Sequence, residues 1–207
     1  MLVVGLTGGI ASGKSTAAAA LELAGAPVVR SDVLAREVVQ PGSAALARIG
    51  AAFGAHVLPP DGSLDRTVLG RVVFADPAAR RRLEEITHPE IRRLTFAWLA
   101  AQRRCGAVAA VCDIPLLFEV GLDGPGSFVD RIWVIGVRPE TQLRRLVARD
   151  GLPPAAALAR IQAQRPLTEK VAGAGRVFWN EGVPEDLAAA VRRAWVELLA
   201  EVGGAGA

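Results

Sequence analysis

Two cysteines, two histidines and no tyrosine occur in this 207-residue chain, and the scarcities narrow the function classes open to it. Cys105 and Cys112 are too few for a disulfide framework or a structural zinc site. No apolar run reaches the roughly 18–20 residues of a membrane span. The best candidate, residues 107–118, is broken by Asp113. The start lacks a basic stretch ahead of an apolar one, and Lys14 interrupts what would have to be a signal core. Disorder is excluded from the other side, because 51% hydrophobic and 22% charged residues can bury a real core. The expectation is a cytoplasmic globular protein of one domain, or one domain carrying an insertion.

The net charge is only +3, and it has an address. Between Arg138 and Lys170, seven basic residues stand against Glu140, Asp150 and Glu169, a local +4 that leaves −1 for the rest. A nucleic-acid binder would spread basic residues along a face with aromatics beside them. One short positive region points instead to a small anion handled locally. Neither nucleic acid nor membrane is expected as a partner, and oligomeric state is not legible.

Leu2–Leu6 reads as a buried parallel strand running into a glycine loop, and residues 14–24, rich in Ala and Leu, read as the helix that follows. Further strands are expected at 28–29, 107–112, 131–137 and 176–179, alternating with helical patterns as in right-handed βαβ units. Residues 36–105 are too long for one crossover. They read as an inserted helical subdomain, with a loop at 54–64 and helix starts at Asp76-Pro77 and His88-Pro89. A helical hairpin at about 139–170 carries the basic cluster, and a last helix from Pro184 ends near Ala200. The final glycines read as a flexible tail, 202–207.

Gly8-Gly9-Ile10-Ala11-Ser12-Gly13-Lys14-Ser15 fits G-x-x-x-x-G-K-[ST], between strand and helix where that motif belongs. Composition alone yields such a match in about one chain in a thousand of this make-up. The glycines let successive N–H groups face one concavity, and the helix start adds partial positive charge. Lys14 suits the β- and γ-phosphates of a nucleotide and the Ser15 hydroxyl suits Mg²⁺.

Residues 107–113 read as a buried strand ending in a carboxylate, the Walker B arrangement; Asp113 holds Mg²⁺ through water or merely caps the turn into Ile114-Pro115. Asp32 follows strand two, as a helix N-cap, as a base for an attacking hydroxyl, or both. His88 reads as a general base or, more simply, a structural histidine. Arg145 and Arg149 share a helix face at i, i+4, where like charges repel. That is easier to understand if the face meets phosphates, which the planar guanidinium binds bidentately, so the hairpin reads as a phosphate-closing lid. Trp98, Trp133, Trp179 and Trp195 read as core packing.

These residues describe a P-loop phosphotransferase without naming its acceptor. The fold class expected is α/β. A three-layer parallel-sheet core at 1–35 and 106–207 carries a helical acceptor-binding insertion at 36–105 and a helical lid at 139–170. For the acceptor, resemblance speaks. The opening Gly5-Leu-Thr-Gly-Gly-Ile-Ala-Ser-Gly-Lys-Ser-Thr16, the segment Asp32–Val39, Ile86-Thr87-His88-Pro89 and Ile114-Pro115-Leu116-Leu117-Phe118-Glu119 resemble dephospho-CoA kinases. So do Gln142, Arg145, Arg149, Arg160-Ile161, Gln164 and Asn180, over about residues 2–200.

The resemblance implies ATP-dependent phosphorylation of the ribose 3′-hydroxyl of dephospho-CoA, with Mg²⁺, as the last step of coenzyme A synthesis. It implies catalytic roles for Asp32 as base and for Lys14, Arg145 and Arg149. ATP contacts would come from Gly8 to Thr16 (including Ile10, Ala11, Ser12, Gly13 and Ser15) and Asn180. Acceptor contacts would come from Thr7, Asp32, His88, Pro115, Leu116, Phe118 and Glu119, and metal contacts from Ser15 and Asp113. Two positions depart from the family's habit: Arg30 and Gly175 stand where it usually has Asp. Another small-molecule or nucleoside-monophosphate kinase, or a nucleotide-binding regulatory protein, shares the physical features up to the acceptor.

Overall fold

The computed structural model describes residues 1–204, which divide into two compact units, 1–29 with 102–204 and 30–101. The unit 30–101 begins at the residue closing strand two. The larger unit is built on β1 (Leu2–Gly8), β2 (Val28–Arg30), β3 (Ala109–Asp113), β4 (Arg131–Gly136) and β5 (Arg176–Trp179). Their order across the sheet is β2-β3-β1-β4-β5. β1 lies centrally, parallel to β3 with Val4 opposite Val111, and parallel to β4 with Leu6 opposite Trp133.

Centrality explains why β1 lacks polar alternation: both of its faces are covered, so every residue from Val3 to Gly8 is buried. Val4, Leu6, Val111, Trp133, Ile135 and Phe178 turn one way and pack on α1 (Lys14–Leu23) and α9 (Pro184–Gly204) through Leu21, Val191 and Trp195. Trp133 meets the Phe178 ring edge-on at 5.3 Å between centroids. The opposite face is covered by the segment after β3, since a Cβ on Gly5 would lie 2.5 Å from Leu117 and 2.8 Å from Val129. α9 runs to Gly204, so residues 202–204 of the expected tail are helical and 205–207 lie outside the described residues.

The smaller unit holds α2 (Ser31–Glu37), α3 (Ala44–Phe53), a short 3₁₀ turn (Ala55–Val57), α4 (Arg66–Ala75) and most of α5 (Pro77–Arg104). Its core is Val38, Val39, Ala45, Ile49, Val57, Leu69 and Ile86. Three of its helix starts, those of α3, α4 and α5, have a local side-chain cause. The Ser43 hydroxyl accepts from Leu46 N–H, and the Asp65 carboxylate accepts from Thr67 and Val68 N–H at 2.9 Å each. Asp76 accepts from Ala78 N–H at 2.7 Å, with Pro77 in the first helical position as expected.

His88-Pro89 does not start a helix. α5 runs unbroken through it for 28 residues, with Pro89 inside. A proline there forfeits one backbone bond. The apolar residues Leu83, Ile86, Ile91 and Leu94 nevertheless continue one helical stripe into the unit's core on both sides of it. Burial of that stripe overrides the local breaker signal.

The basic hairpin comprises α6 (Pro139–Asp150), α7 (Pro154–Gln162) and α8 (Leu167–Ala172), in the larger unit. Gly151, at φ 64°, closes α6 in the left-handed conformation glycine adopts freely.

Candidate active site

The loop between β1 and α1 takes the shape its glycines permit. Gly13 sits at φ 91°, and a Cβ there would fall 2.2 Å from the Asn180 amide nitrogen. No side chain caps the start of α1, so its first N–H groups stay available to an anion. Residues 8–15, with Pro115, Arg145, Arg149 and Gln164, line a cavity of about 470 Å³. That is the size of a small-molecule site, and its wall combines backbone donors with two guanidinium groups.

Lys14 reaches across to β3, where its Nζ lies 2.6 Å from Asp113 Oδ1. Asp113 is the last residue of the strand and almost wholly buried. The Ser15 hydroxyl lies exposed in the first turn of α1. One hydroxyl and one carboxylate are hard oxygen donors of the kind Mg²⁺ takes alongside phosphate oxygens and water. Among the described residues no group of three or more His, Cys, Asp or Glu side chains could hold a metal, and such a shared site needs none. The residues fit the cation.

Three side-chain amides hold the loop from behind. Asn180 Nδ2 donates to the Ser12 carbonyl at 2.7 Å. Gln142 Nε2 donates to the Ile10 carbonyl at 2.7 Å, while Ile10 N–H donates to Gln164 Oε1 at 2.8 Å. Asn180, expected at the nucleotide, therefore spends its amide nitrogen on the loop itself.

The arginines differ from each other. Arg145 is half-buried on α6, and the nearby Glu181 carboxyl is held low chiefly by the Arg138 N–H and also by the Thr141 hydroxyl and the charges of Arg138 and Arg145. Arg149, exposed, bonds Asp150 through Nε at 2.6 Å and Nη2 at 3.1 Å, and Arg160 adds a contact at 3.4 Å. The Arg149 guanidinium accordingly holds the Asp150 carboxyl below its usual range. Part of the positive field is thus neutralised within the hairpin.

The segment after β3 is less open than its sequence suggests. Phe118 is buried against Gly173, and Thr7, fully buried, donates to the Pro115 carbonyl at 3.2 Å. Both side chains support the wall of the site. Leu116 is exposed and Pro115 half-buried.

Glu119 accepts the Arg165 N–H at 3.0 Å, and its Oε1 lies 2.8 Å from the ammonium of Lys170, which is 1% exposed. That approach is close enough for an ion pair, though off the line of a good hydrogen bond. Burial pushes the Glu119 carboxyl up, but Lys170 and the Arg165 N–H outweigh it and leave it below the usual range. Arg165 also meets Asp123 at 3.5 Å. Sequence reasoning missed this latch and the amide ties because the partners lie 42 or more residues apart, and neither glutamine carries a local signal.

In the smaller unit, α2 begins at Ser31, with Arg30 as its N-cap and no side-chain cap bond. Asp32 is therefore not the cap. It lies in the first turn, exposed, where a carboxylate is favoured by the helix dipole. His88 is exposed on α5. Cys112 is buried in β3, its thiol pushed up to about 12, and has no nucleophilic role.

Comparison with known proteins supplies what geometry leaves open. The family model for dephospho-CoA kinase (CoaE) matches residues 2–186. A dephospho-CoA kinase of Anaeromyxobacter dehalogenans is 53% identical over 99% of this chain and 93% of its own length. One from Geobacter sulfurreducens is 49% identical over 95% and 98%. Among solved structures, TT1252 from Thermus thermophilus superposes with a TM-score of 0.78 at 38% identity, covering 95% of this chain and 97% of that one. The dephospho-CoA kinase from Campylobacter jejuni gives 0.69 at 28% identity, with 99% and 98% covered. With a phosphate loop, a basic cavity wall and near-complete alignment to these relatives, the chain belongs to the dephospho-CoA kinase family.

Proposed function

We propose that this chain carries out the family's reaction at the phosphate loop. ATP gives its γ-phosphoryl group to the ribose 3′-hydroxyl of dephospho-CoA, and coenzyme A and ADP leave. The observation carrying this reading is the family match over residues 2–186, coincident with a loop whose N–H groups, Lys14 and two arginines face one cavity.

Lys14 would exchange Asp113 for the β- and γ-phosphate oxygens, and the Asp113 carboxylate and Ser15 hydroxyl would hold a divalent cation, Mg²⁺ by the hardness of these oxygen donors. A bound cation neutralises charge on the phosphate oxygens. The loop N–H groups fix the phosphates in line, and Arg145 and Arg149 meet the charge that develops on the transferring group. Asp32 takes the proton of the attacking hydroxyl. Support for that role is its place two residues past β2, beyond the strand ends where parallel sheets bind ligands, and its freedom from a capping role.

As acceptor contacts we keep those the family resemblance implies, Thr7, Asp32, His88, Pro115, Leu116, Phe118 and Glu119, and we keep the cytoplasmic location expected from composition. No helix among the described residues is long and apolar enough to cross a membrane. The deciding experiment is ADP release measured with and without dephospho-CoA. Strong stimulation by dephospho-CoA is expected, and turnover that requires a different acceptor overturns the reading.

A further inference from the structure

The two glutamines that bracket Ile10 have no part in the chemistry above, yet their placement is specific. Gln164 accepts from the Ile10 N–H and Gln142 donates to the Ile10 carbonyl, so one residue is gripped on both its polar groups. The next residue, Ala11, holds φ at 59°, the only non-glycine residue at positive φ among those described. That conformation is unfavourable for an L-residue, whose Cβ crowds the following carbonyl oxygen. It persists where the surroundings over-determine it. On the other side, a Cβ at Gly9 would fall 2.6 Å from Gln142 Nε2, so the amide lies against bare backbone.

The grip comes from two elements. Gln142 is on α6, on the same helical stripe as Arg145 and Arg149 at i+3 and i+7. Gln164 is in the turn between α7 and α8, whose next residue is bonded to Glu119 and Asp123. Gln164, Arg145 and Arg149 line the same cavity as the loop.

We propose that Gln142 and Gln164 are positioning residues forming an amide clamp on the Ile10 peptide groups. The clamp holds the loop in its phosphate-accepting shape before nucleotide arrives and sets the loop's distance from the arginine face of α6. Preorganisation of this kind appears as nucleotide affinity, because the loop no longer spends binding energy on ordering itself. The clamp rests on the ATP reading above, and the test separates the two.

The test is titration of MgATP into wild type, the two single alanine variants, the double variant and the length-preserving Gln142→Met and Gln164→Met, beside thermal unfolding without nucleotide. Each single loss should raise the Kd for ATP about tenfold, or 1.4 kcal/mol. The double variant should be little worse than the weaker single, since one broken bond already frees the peptide. The KM for dephospho-CoA should stay within about threefold and the unfolding midpoint within about 2–4 °C.

A sign test follows from donor and acceptor chemistry. Gln142→Lys keeps a donor for the carbonyl and adds a positive charge, and should bind ATP at least as tightly as wild type. Gln164→Lys sets a donor against an N–H and should bind about tenfold more weakly, although its added charge alone would strengthen binding. Equal affinities for the two lysine variants, additive losses in the double variant, or single variants within threefold of wild type overturn the clamp. Failure of wild type itself to bind ATP overturns the kinase reading instead.

Discussion

Lys14 is the residue whose loss should be felt most. Its ammonium already has a partner at 2.6 Å, so the loop is built to hold a cation against oxygen anions. In Lys14→Ala the phosphates lose that charge in a loose transition state, and kcat/KM should fall by well over tenfold, read by steady-state kinetics. Asp32 poses the sharper chemical question. Since α2 is capped from Arg30 and not by Asp32, Asp32→Asn removes a charge without removing a cap. Folding and ATP binding should stay near native while kcat with dephospho-CoA drops by about 10²–10⁴-fold. An Asn variant within threefold of wild type would leave this carboxylate with only its favourable place at a helix start.

At the scale of elements, the hairpin and the segment after β3 are joined by a buried ion pair. Removing Glu119 leaves the Lys170 ammonium, 1% exposed, without its counter-charge. Breaking such a pair costs about 3–5 kcal/mol, whereas replacing both partners by apolar groups is often neutral. Urea unfolding at pH 7 should therefore show Glu119→Gln strongly destabilised and Glu119→Leu with Lys170→Met close to wild type.

The same carboxyl carries an acid dependence. Its folded-state value lies below the unfolded one. The stability it contributes is then complete above the unfolded value, near pH 4.3, and is lost as pH falls through the folded value. The Gln variant should show a shallower acid limb. The hairpin's motion has a geometry too. Gln142 and Gln164 tie its base to the loop, while Arg149, Asp150 and Arg160 cluster near its tip. Closure is thus expected at the tip, and Arg149→Ala should depress kcat more than it weakens ATP binding without acceptor.

For the molecule as a whole, ligand and fold are linked by mass action. A loop whose N–H groups are arranged only in the folded chain binds nucleotide only there. MgATP at about 100 times its Kd should raise the unfolding free energy of wild type by about 2.7 kcal/mol, and Lys14→Ala should lose most of that gain at the same concentration. Calorimetry or a thermal shift checks both.

Much of this was legible from residue order. Residues 2–7 followed by Gly-Gly-Ile-Ala-Ser-Gly-Lys-Ser specify a strand, a loop and a helix start, because all three depend on neighbours within a dozen residues. The alternation of strands and helices, the Asp76-Pro77 start and the local +4 were readable for the same reason. Long-range partnership was not. His88-Pro89 looks like a boundary until the stripe from Leu83 to Leu94 is seen entering a core. Asp32 looks like a cap until Arg30 takes that place. The partners of Ile10 lie 132 and 154 residues away, joined to it by hydrogen bonds that no periodicity encodes. Local sequence determined where phosphate would bind. Only tertiary packing decided what holds that loop in shape, because a backbone amide takes its partner from whatever the fold brings within 3 Å.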